Sequence, residues 1–463
     1  MARPRKNATP PAASLAERLR SALVPEEEQP YPVPANWCWV RLGSAITLHR
    51  GVSYNKHDAH PVAGCGDCLI LRGGNIQEGS IDLDADNVYV NSNIVQYEQL
   101  LQKFDIVIVS STGSKNVIGR AGISNENYKN IAFGAFLTLA RARDGFHKKY
   151  IALFFQGDIY RNRIRLLAGG VNINNVKSEH ITDTPFPLPP LAEQERIVER
   201  IETLFAKLDE AKARLEDVRD GHETRRAAIL HKAFTGELTA KWREAHGVGL
   251  ESWEERSREG LFSYVTSGSR GWAKYYSNSG SIFLRMGNLK HGTINIDMSE
   301  IQYVNVPTDA EGMRTRVQDG DILISITADV GMIGFMKKVA GDTYINQHIA
   351  LARPAQKNTG EFISWYLVSD IGSKQLQKKQ RGATKVGLSL EDIRSLALRL
   401  PTLPEQQEIV RLLDSLLARE ERVHQAATQA LEHIDLMKKA ILARAFRGEL
   451  GTNVPGEKGM GEG

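Results

Sequence analysis

Two stretches of the chain place apolar residues at alternating steps of four and three. The first runs Ile197, Ile201, Leu204, Leu208, Ala211, Leu215, Val218, His222, Arg225 and Ile229. The second runs Ile409, Leu413, Leu416, Glu420, Val423, Ala427, Ala430, Ile434, Met437 and Ile441. Each is a heptad seam, the pattern of long helices that pack along one stripe. Proline is kept to the entrances, at Pro189-Pro190 and at Pro401 and Pro404, and Gly236 and Gly448 stand where a helix C-terminal stop is expected. Taken as about 40 residues, each helix spans roughly 60 Å. Between and before the helices the pattern changes to short β-branched runs bounded by Gly, Asn or Asp, at 69–71, 87–90 and 104–109, and again at 281–284, 301–306 and 321–326. Short helical stretches are predicted near 149–160 and 361–376. The pattern predicts an α+β chain of two β-rich domains, each followed by a long helix. Two separate surface helices are the alternative to a coiled coil.

The two halves are copies. Residues 188–238 realign without a gap on 400–450, an offset of 212, with 17 identities in 51 positions, where average residue usage gives about 3. Both copies open with Leu-Pro-x-Leu-x-Glu-Gln, with Glu193-Gln194 matching Glu405-Gln406, and close on Ala-Phe-x-Gly-Glu-Leu. The offset also matches Gly170, Glu179 and Ile181 with Gly382, Glu391 and Ile393, and small insertions relate Leu71-Arg72 and Asp105-Ile106 to Leu284-Arg285 and Asp321-Ile322. The chain therefore reads as a duplicated unit of about 150 globular residues plus a helix of about 50. A tandem duplication closes most simply as a pseudo-two-fold, with the two helices antiparallel. His222, Arg225 and Glu420 in the seam then fix register or meet another subunit.

Composition adds limits. Charged residues are 25% and hydrophobic ones 41%, ordinary for a globular chain. No apolar run reaches membrane-span length, and the basic N-terminus lacks the apolar core of a secretory signal. Three cysteines cannot build a disulfide framework, which points to a reducing, cytoplasmic setting. Residues 36–187 hold 16 Lys+Arg against 13 Asp+Glu, and 250–400 hold 19 against 16. Each domain is thus +3, a mild and symmetric hint of a polyanion partner.

Polar loops with basic, amide and aromatic side chains separate the strands. In the first domain they carry Arg50, Ser53, Tyr54, Lys56, Arg72, Asn75, Ser111, Thr112, Ser114, Lys115, Asn172, Asn174 and Asn175. In the second they carry Ser269, Arg270, Trp272, Lys274, Tyr275, Tyr276, Arg285, Asn288, Asn346, Gln347, Arg381, Thr384 and Lys385. Arg and Lys suit guanine edges, Asn and Gln adenine edges, and hydroxyls phosphates. Solvated loops in which Gly and Asn serve turns have the same composition. No P-loop, G-x-S-x-G elbow or H-E-x-x-H motif is present, nor an Asn/Asp-Pro-Pro-Tyr/Phe tetrapeptide of amino-methyltransferases. His57, His60, Cys65 and Cys68 have a spacing that could just close around zinc, but one short loop holds all four. A reduced surface loop without metal is the preferred reading.

The paired Leu-Pro-x-Leu-x-Glu-Gln openings and Ala-Phe-x-Gly-Glu-Leu closings resemble the conserved helical regions of the specificity subunit (HsdS) of type I restriction–modification systems. The likeness covers about 34–450. The variable stretches resemble its target recognition domains. One subtype carries Arg50-Gly51-Val52-Ser53-Tyr54, Gly113-Ser114-Lys115, Phe133-Gly134-Ala135-Phe136 and Asn172-Ile173-Asn174-Asn175; a different one lies around 267–276. The resemblance implies two β-rich target recognition domains joined by two long conserved helices, packed as a pseudo-two-fold antiparallel coiled coil. It divides the chain into an N-terminal extension (1–33), recognition domains at 34–187 and 246–399, helical regions at 188–245 and 400–450, and a flexible tail at 451–463. The extension is expected to be a disordered tail, or a short helix at 14–24 packed on the coil.

The resemblance further implies a non-catalytic, cytoplasmic subunit. It reads a bipartite, asymmetric site in double-stranded DNA, one half-site per domain, with the coil setting the gap between them. It has no cofactor of its own and no membrane partner. Its expected partners are two modification subunits, which carry S-adenosylmethionine and methylate adenine at N6, and restriction subunits that use ATP and Mg. Phe205, Leu230, Phe234, Leu412, Leu417 and Phe446 lie off the seams; a two-helix coil cannot cover them all, so they are expected to dock helices of the modification subunits. An orphan DNA-binding paralogue, or a coiled-coil scaffold with β-rich binding domains, is the alternative.

Overall fold

The computed structural model describes residues 14–168, 174–257, 260–268, 270–306, 313–380 and 387–460. The chain forms two compact units, Met1–Arg214 with Ala430–Gly463, and Leu215–Gln429. Each contains one β-rich domain and part of both long helices.

In the first unit, α1 (Leu15–Ser21) begins at a capping box between Ser14 and Glu17. It packs on the globular domain: Leu19 is buried in the core, and Arg41 N–H donates to Ala22 O at 2.7 Å. The described part of the extension therefore packs on the first domain. Among the described residues eleven strands follow: β1 (Cys38–Arg41), β2 (Ile46–Arg50), β3 (Asp67–Leu71), β4 (Tyr89–Asn91), β5 (Ile106–Val109), β6 (Ser111–Thr112), β7 (Ala121–Ile123), β8 (Ile131–Phe133), β9 (Leu137–Ala142), β10 (Asn174–Asn175) and β11 (Pro185–Leu188). They form sheets in the orders β2-β9-β5-β7 and β4-β3-β8, plus the pairs β1-β11 and β6-β10. The β3–β8 pairing is parallel and the others antiparallel. The helix predicted near 149–160 is two helices, α2 (Lys148–Phe154) and α3 (Asp158–Leu167), because Gly157 adopts extended backbone at the N-cap. After α4 (Ser178–Thr182) comes the long α5 (Leu191–Asp220).

The second unit repeats this order. It has α6 (His222–Phe234), α7 (Ala240–Ala245), β12 (Glu254–Ser257), β13 (Phe262–Ser267), β14 (Tyr276–Ser277), β15 (Ser281–Leu284), β16 (Gln302–Val304), β17 (Ile322–Ser325), β18 (Ile333–Phe335), β19 (Thr343–Ile345), β20 (Ile349–Pro354), α8 (Gly360–Val368), α9 (Asp370–Lys379), α10 (Leu390–Arg394), β21 (Ala397–Leu400) and α11 (Leu403–Phe446). The sheets are β13-β20-β17-β18 and β14-β16-β15-β19, with β15–β19 parallel, plus β12-β21. Strand order and pairing sense thus repeat between the domains, with β14 added at the edge of the second domain's smaller sheet. In each, a buried aspartate ties the main sheet: Arg141 Nε donates to Asp105 Oδ1 at 2.9 Å, and Arg353 Nε to Asp321 Oδ1 at 2.8 Å. The latter bond holds the Arg353 guanidinium above its usual pKa.

The first predicted helix breaks into α5 and α6 at Gly221. The second runs unbroken for 44 residues, about 66 Å, with Pro404 in its first turn, where no helical N–H is lost. Gly236 and Gly448 take left-handed φ of 84° and 74°, and Leu238 N–H and Glu449 N–H close back on Lys232 O and Arg444 O at 2.9 Å, satisfying the last carbonyls. Within each unit the two helices run antiparallel. In the second, Arg225 Nε donates to Glu420 Oε2 at 2.7 Å, and the rings of His222 and His424 stack at 4.4 Å. In the first, Lys438 lies over the Phe205 ring and pairs with Asp209.

These contacts correct the second seam. Ile409, Leu413, Ala427 and Ile434 are buried as expected, but Val423 and Met437 are 37% and 51% exposed. His424 and Lys438 face the partner helix in their place. A one-residue shift moves a helical side chain by about 100°, so a single adjacent position decides which residue enters the seam.

The off-seam apolar residues are also placed differently from expectation. Phe446 packs on Tyr150 and Phe154 at 5.3 and 5.4 Å between centroids, and Phe234 on Phe362 and Tyr366 at 5.3 and 5.5 Å. Leu230 and Leu417 are buried in the core of the second domain. These four are covered by the chain's own globular domains and need no second subunit. Phe205 and Leu412 are half-buried, Phe205 against the first domain's core.

The glutamate of each Leu-Pro-x-Leu-x-Glu-Gln motif is fully buried and acts as a hub. Glu405 accepts from Thr239 Oγ1 and Arg243 Nη1, both at 2.7 Å, and from Trp253 Nε1 at 3.0 Å. Glu193 accepts from Trp37 Nε1 at 2.8 Å and Asn453 Nδ2 at 2.9 Å. The second contact comes from the segment expected to be a flexible tail. Its described residues, 451–460, are docked: Arg196 makes two bonds to Glu457, at 2.9 and 2.7 Å, and Asn453 donates to Asn36 at 2.8 Å.

Candidate nucleic-acid interface

In the first domain the loop after β2 crosses the loop after β8. Val52 N–H donates to Phe133 O at 2.7 Å, and a Cβ on Gly51 would lie 2.1 Å from Gly134 O. Only glycine permits that crossing. Beside it, β6 pairs with β10, Thr112 opposite Asn174 and Ser111 opposite Asn175. The result is a cleft of about 540 Å³ whose walls include Ser53, Tyr54, Arg72, Ser111, Thr112 and Phe136. Five of these six are predicted readers brought together from three separate segments, and Phe136 comes from a fourth. Arg72 pairs with Asp86 at 2.9 Å and stays half exposed, so its guanidinium is oriented yet accessible. Arg50, Lys56, Ser114, Lys115 and Asn175 are exposed on neighbouring turns and strand ends. Asn172 lies outside the described residues, as does the Asn174 side chain.

The second domain uses the same crossing. A Cβ on Gly268 would lie 2.0 Å from Asn346 O, and Thr327 bridges Gly387 where the first domain has β6–β10. Arg270, Lys274 and Tyr276 are exposed, Tyr275 and Arg285 are half-buried, and Lys274 sits over the Tyr275 ring at 4.9 Å. Asn346 is mostly buried, with its Oδ1 accepting from His348 N–H at 3.1 Å. Gln347 Nε2 lies 3.0 Å from His348 Nε2, and Thr327 Oγ1 lies 2.5 Å from His348 Nδ1. Ser269, Arg381, Thr384 and Lys385 lie outside the described residues.

Three predicted readers are structural instead. Asn75 is 0% exposed; its Oδ1 accepts from Arg72 N–H at 2.7 Å and its Nδ2 donates to Asp82 O at 3.0 Å. Asn288 repeats this with Arg285 N–H and Asp297 O, both at 2.8 Å. A side chain with these partners holds a loop's own backbone and has no free edge for a base. Trp272 is 4% exposed and stacks on Phe283 at 5.5 Å, so it is core. Phe136, which lines the cleft and was not among the candidate contact residues, and His348 occupy matching places at the 212-residue offset, the signal that relates the two loops.

The His57, His60, Cys65 and Cys68 group does not converge. His60 Nε2 lies 2.5 Å from Asp67 Oδ2, and this bond, with Gly64 N–H, lowers the Asp67 pKa. Cys68 is buried in β3, where desolvation raises its thiol pKa, while Cys65 is exposed. Among the described residues no three His, Cys, Asp or Glu side chains are grouped to hold a metal ion, and no helix is long and apolar enough to cross a membrane.

Residues 34–218 and 252–433 match the type I restriction modification DNA specificity domain. The chain is 32% identical over 431 residues to the type I restriction enzyme EcoKI specificity subunit of Escherichia coli K12, and 30% identical over 427 residues to the StySPI specificity subunit of Salmonella potsdam, with 90% of each chain covered in both cases. The fold is similar to the HsdS subunit from Thermoanaerobacter tengcongensis, with a TM-score of 0.63, 19% identity and coverage of 91% of this chain and 99% of that one. A chain from a structure of the assembly and conformational transition of the type I R-M system gives 0.66 and 19%, covering 91% and 100%. With two matched domains on two repeats of one fold, this chain belongs to the type I restriction–modification specificity subunits.

Proposed function

We propose that each domain reads one half of a bipartite, asymmetric DNA site, and that the chain does no chemistry itself. The observation that carries this is one loop architecture with two chemistries. The crossings at Gly51 and Gly268 are built alike, yet the residues beside them are Gly134-Ala135-Phe136 in one domain and Asn346-Gln347-His348 in the other. Identical frames with different side chains suit two different base sequences.

Two modification subunits dock on the helical regions and supply S-adenosylmethionine for adenine methylation; restriction subunits bring ATP and Mg. Leu436 and Met437 support docking on α11, since both are apolar and more than half exposed. The coil sets the gap between half-sites. The test exchanges residues 36–187 for those of a relative and reads the methylated sequence genome-wide. One half-site should change while the other half and the gap stay the same. Change in both halves refutes separate reading.

A further inference from the structure

Phe136 is 71% exposed, yet its backbone is held firmly. Its carbonyl accepts from Ser110 N–H at 3.0 Å, Ser110 Oγ at 2.9 Å and Ser111 N–H at 3.1 Å. In the second domain Ile326 N–H donates to His348 O at 2.9 Å, so the two residues occupy matching positions of matching loops. His348 spends both ring nitrogens on Thr327 and Gln347. Phe136 has no polar atom to spend. A large apolar side chain in water on a fixed backbone costs little further ordering when a partner arrives, and it offers only an apolar contact.

Its neighbours decide which contact. Phe136 stands in the wall of a concave cleft with Ser53, Ser111 and Thr112, whose short hydroxyls suit base edges, and with Arg72. A side chain that unstacks base pairs enters as a wedge from the minor groove, which is a convex feature. In the major groove, the apolar mark on a base edge is the C5-methyl of thymine. We propose that Phe136 reads a thymine 5-methyl group in the half-site of the first domain, and that the second domain, with His348 there, reads its half-site without such a contact. The proposal rests on the DNA-reading assignment above.

The test uses the full chain in complex with modification subunits and the target found by methylation mapping. Each thymine of the first half-site is replaced singly by deoxyuridine. A half-site with a methylatable adenine always holds a thymine opposite it, so a probe exists. One replacement should weaken binding ~4-fold, the loss for one buried methyl-sized group. Phe136→Ala should bind thymine and uracil probes equally, Phe136→Leu should keep the preference, and second-half replacements should affect wild type and Phe136→Ala alike. The inference is overturned if wild type binds every deoxyuridine probe as tightly as the target, or if Phe136→Ala still prefers thymine. Fluorescence of 2-aminopurine that rises only with Phe136 present would show unstacking and overturn it too. A wild-type complex that cannot tell its target from a scrambled duplex refutes the underlying assignment; one that can, yet ignores the methyl, refutes this inference alone.

Discussion

Replacing Glu405 by alanine tests the hub on which the second unit is fastened. The carboxylate is 0% exposed and takes three donors from two separate segments, Thr239 and Arg243 after α6, and Trp253 before β12. Its side chain also neutralises Arg243, whose own side chain is 10% exposed. Glu405→Ala therefore strands a buried guanidinium as well as two donors. Breaking a buried pair from one side costs about 3–5 kcal/mol. For a unit of this size, each kcal/mol lowers the melting temperature by about 2–4 °C, so the expected fall is roughly 6–20 °C in the transition of the second unit. The assay is calorimetric or urea unfolding of the full chain. Glu405→Leu combined with Arg243→Met should recover part of the loss, because no charge is left stranded although the Thr239 and Trp253 donors still lack their acceptor. A fall below about 2 °C, or a double variant no better than the single, would refute the hub.

Truncation after Leu450 should destabilise the first unit by about 1–3 kcal/mol, because it removes the Asn453 donor from buried Glu193 and the Glu457 partner of Arg196; an unchanged urea midpoint would show the segment to be undocked. Asn288→Ala should cost about 1–3 kcal/mol of stability and leave base preference intact, since its amide is spent on Arg285 and Asp297. Altered preference at unchanged stability would restore it as a base reader.

The candidate site was legible where its residues sit on or beside polar, glycine-containing loops. Ser53, Tyr54, Arg72, Ser111 and Thr112 are polar or aromatic side chains in Gly-rich loops, and they do converge on one cleft. Asn75 and Asn288 have the same local composition and serve the opposite end. Whether an amide faces solvent or its own loop's carbonyls depends on the path of the next ten residues, as with Asn75 and Asp82 or Asn288 and Asp297. Trp272 likewise reads as a loop aromatic until Phe283 and Tyr344 are brought beneath it.

Local rules of the chain fixed the duplication, the two helices, their glycine stops and the positions of β3, β4, β5, β15, β16 and β17, six of the 21 described strands. Helix period, left-handed caps and β-branched runs act over a few residues, so they are written in sequence. The tertiary structure decided what those rules leave degenerate. In the seam, Val423 and His424 are adjacent and both half fit; the stacking of His222 on His424 selects the histidine. Phe234 and Phe446 look like spare docking surface until Phe362 and Phe154 meet them from more than a hundred residues away. The last ten described residues read as a tail because they are polar, and they are held because Glu193 and Arg196 need partners. Burial and pairing are set by what long-range folding places opposite a side chain, and no short window of sequence contains that.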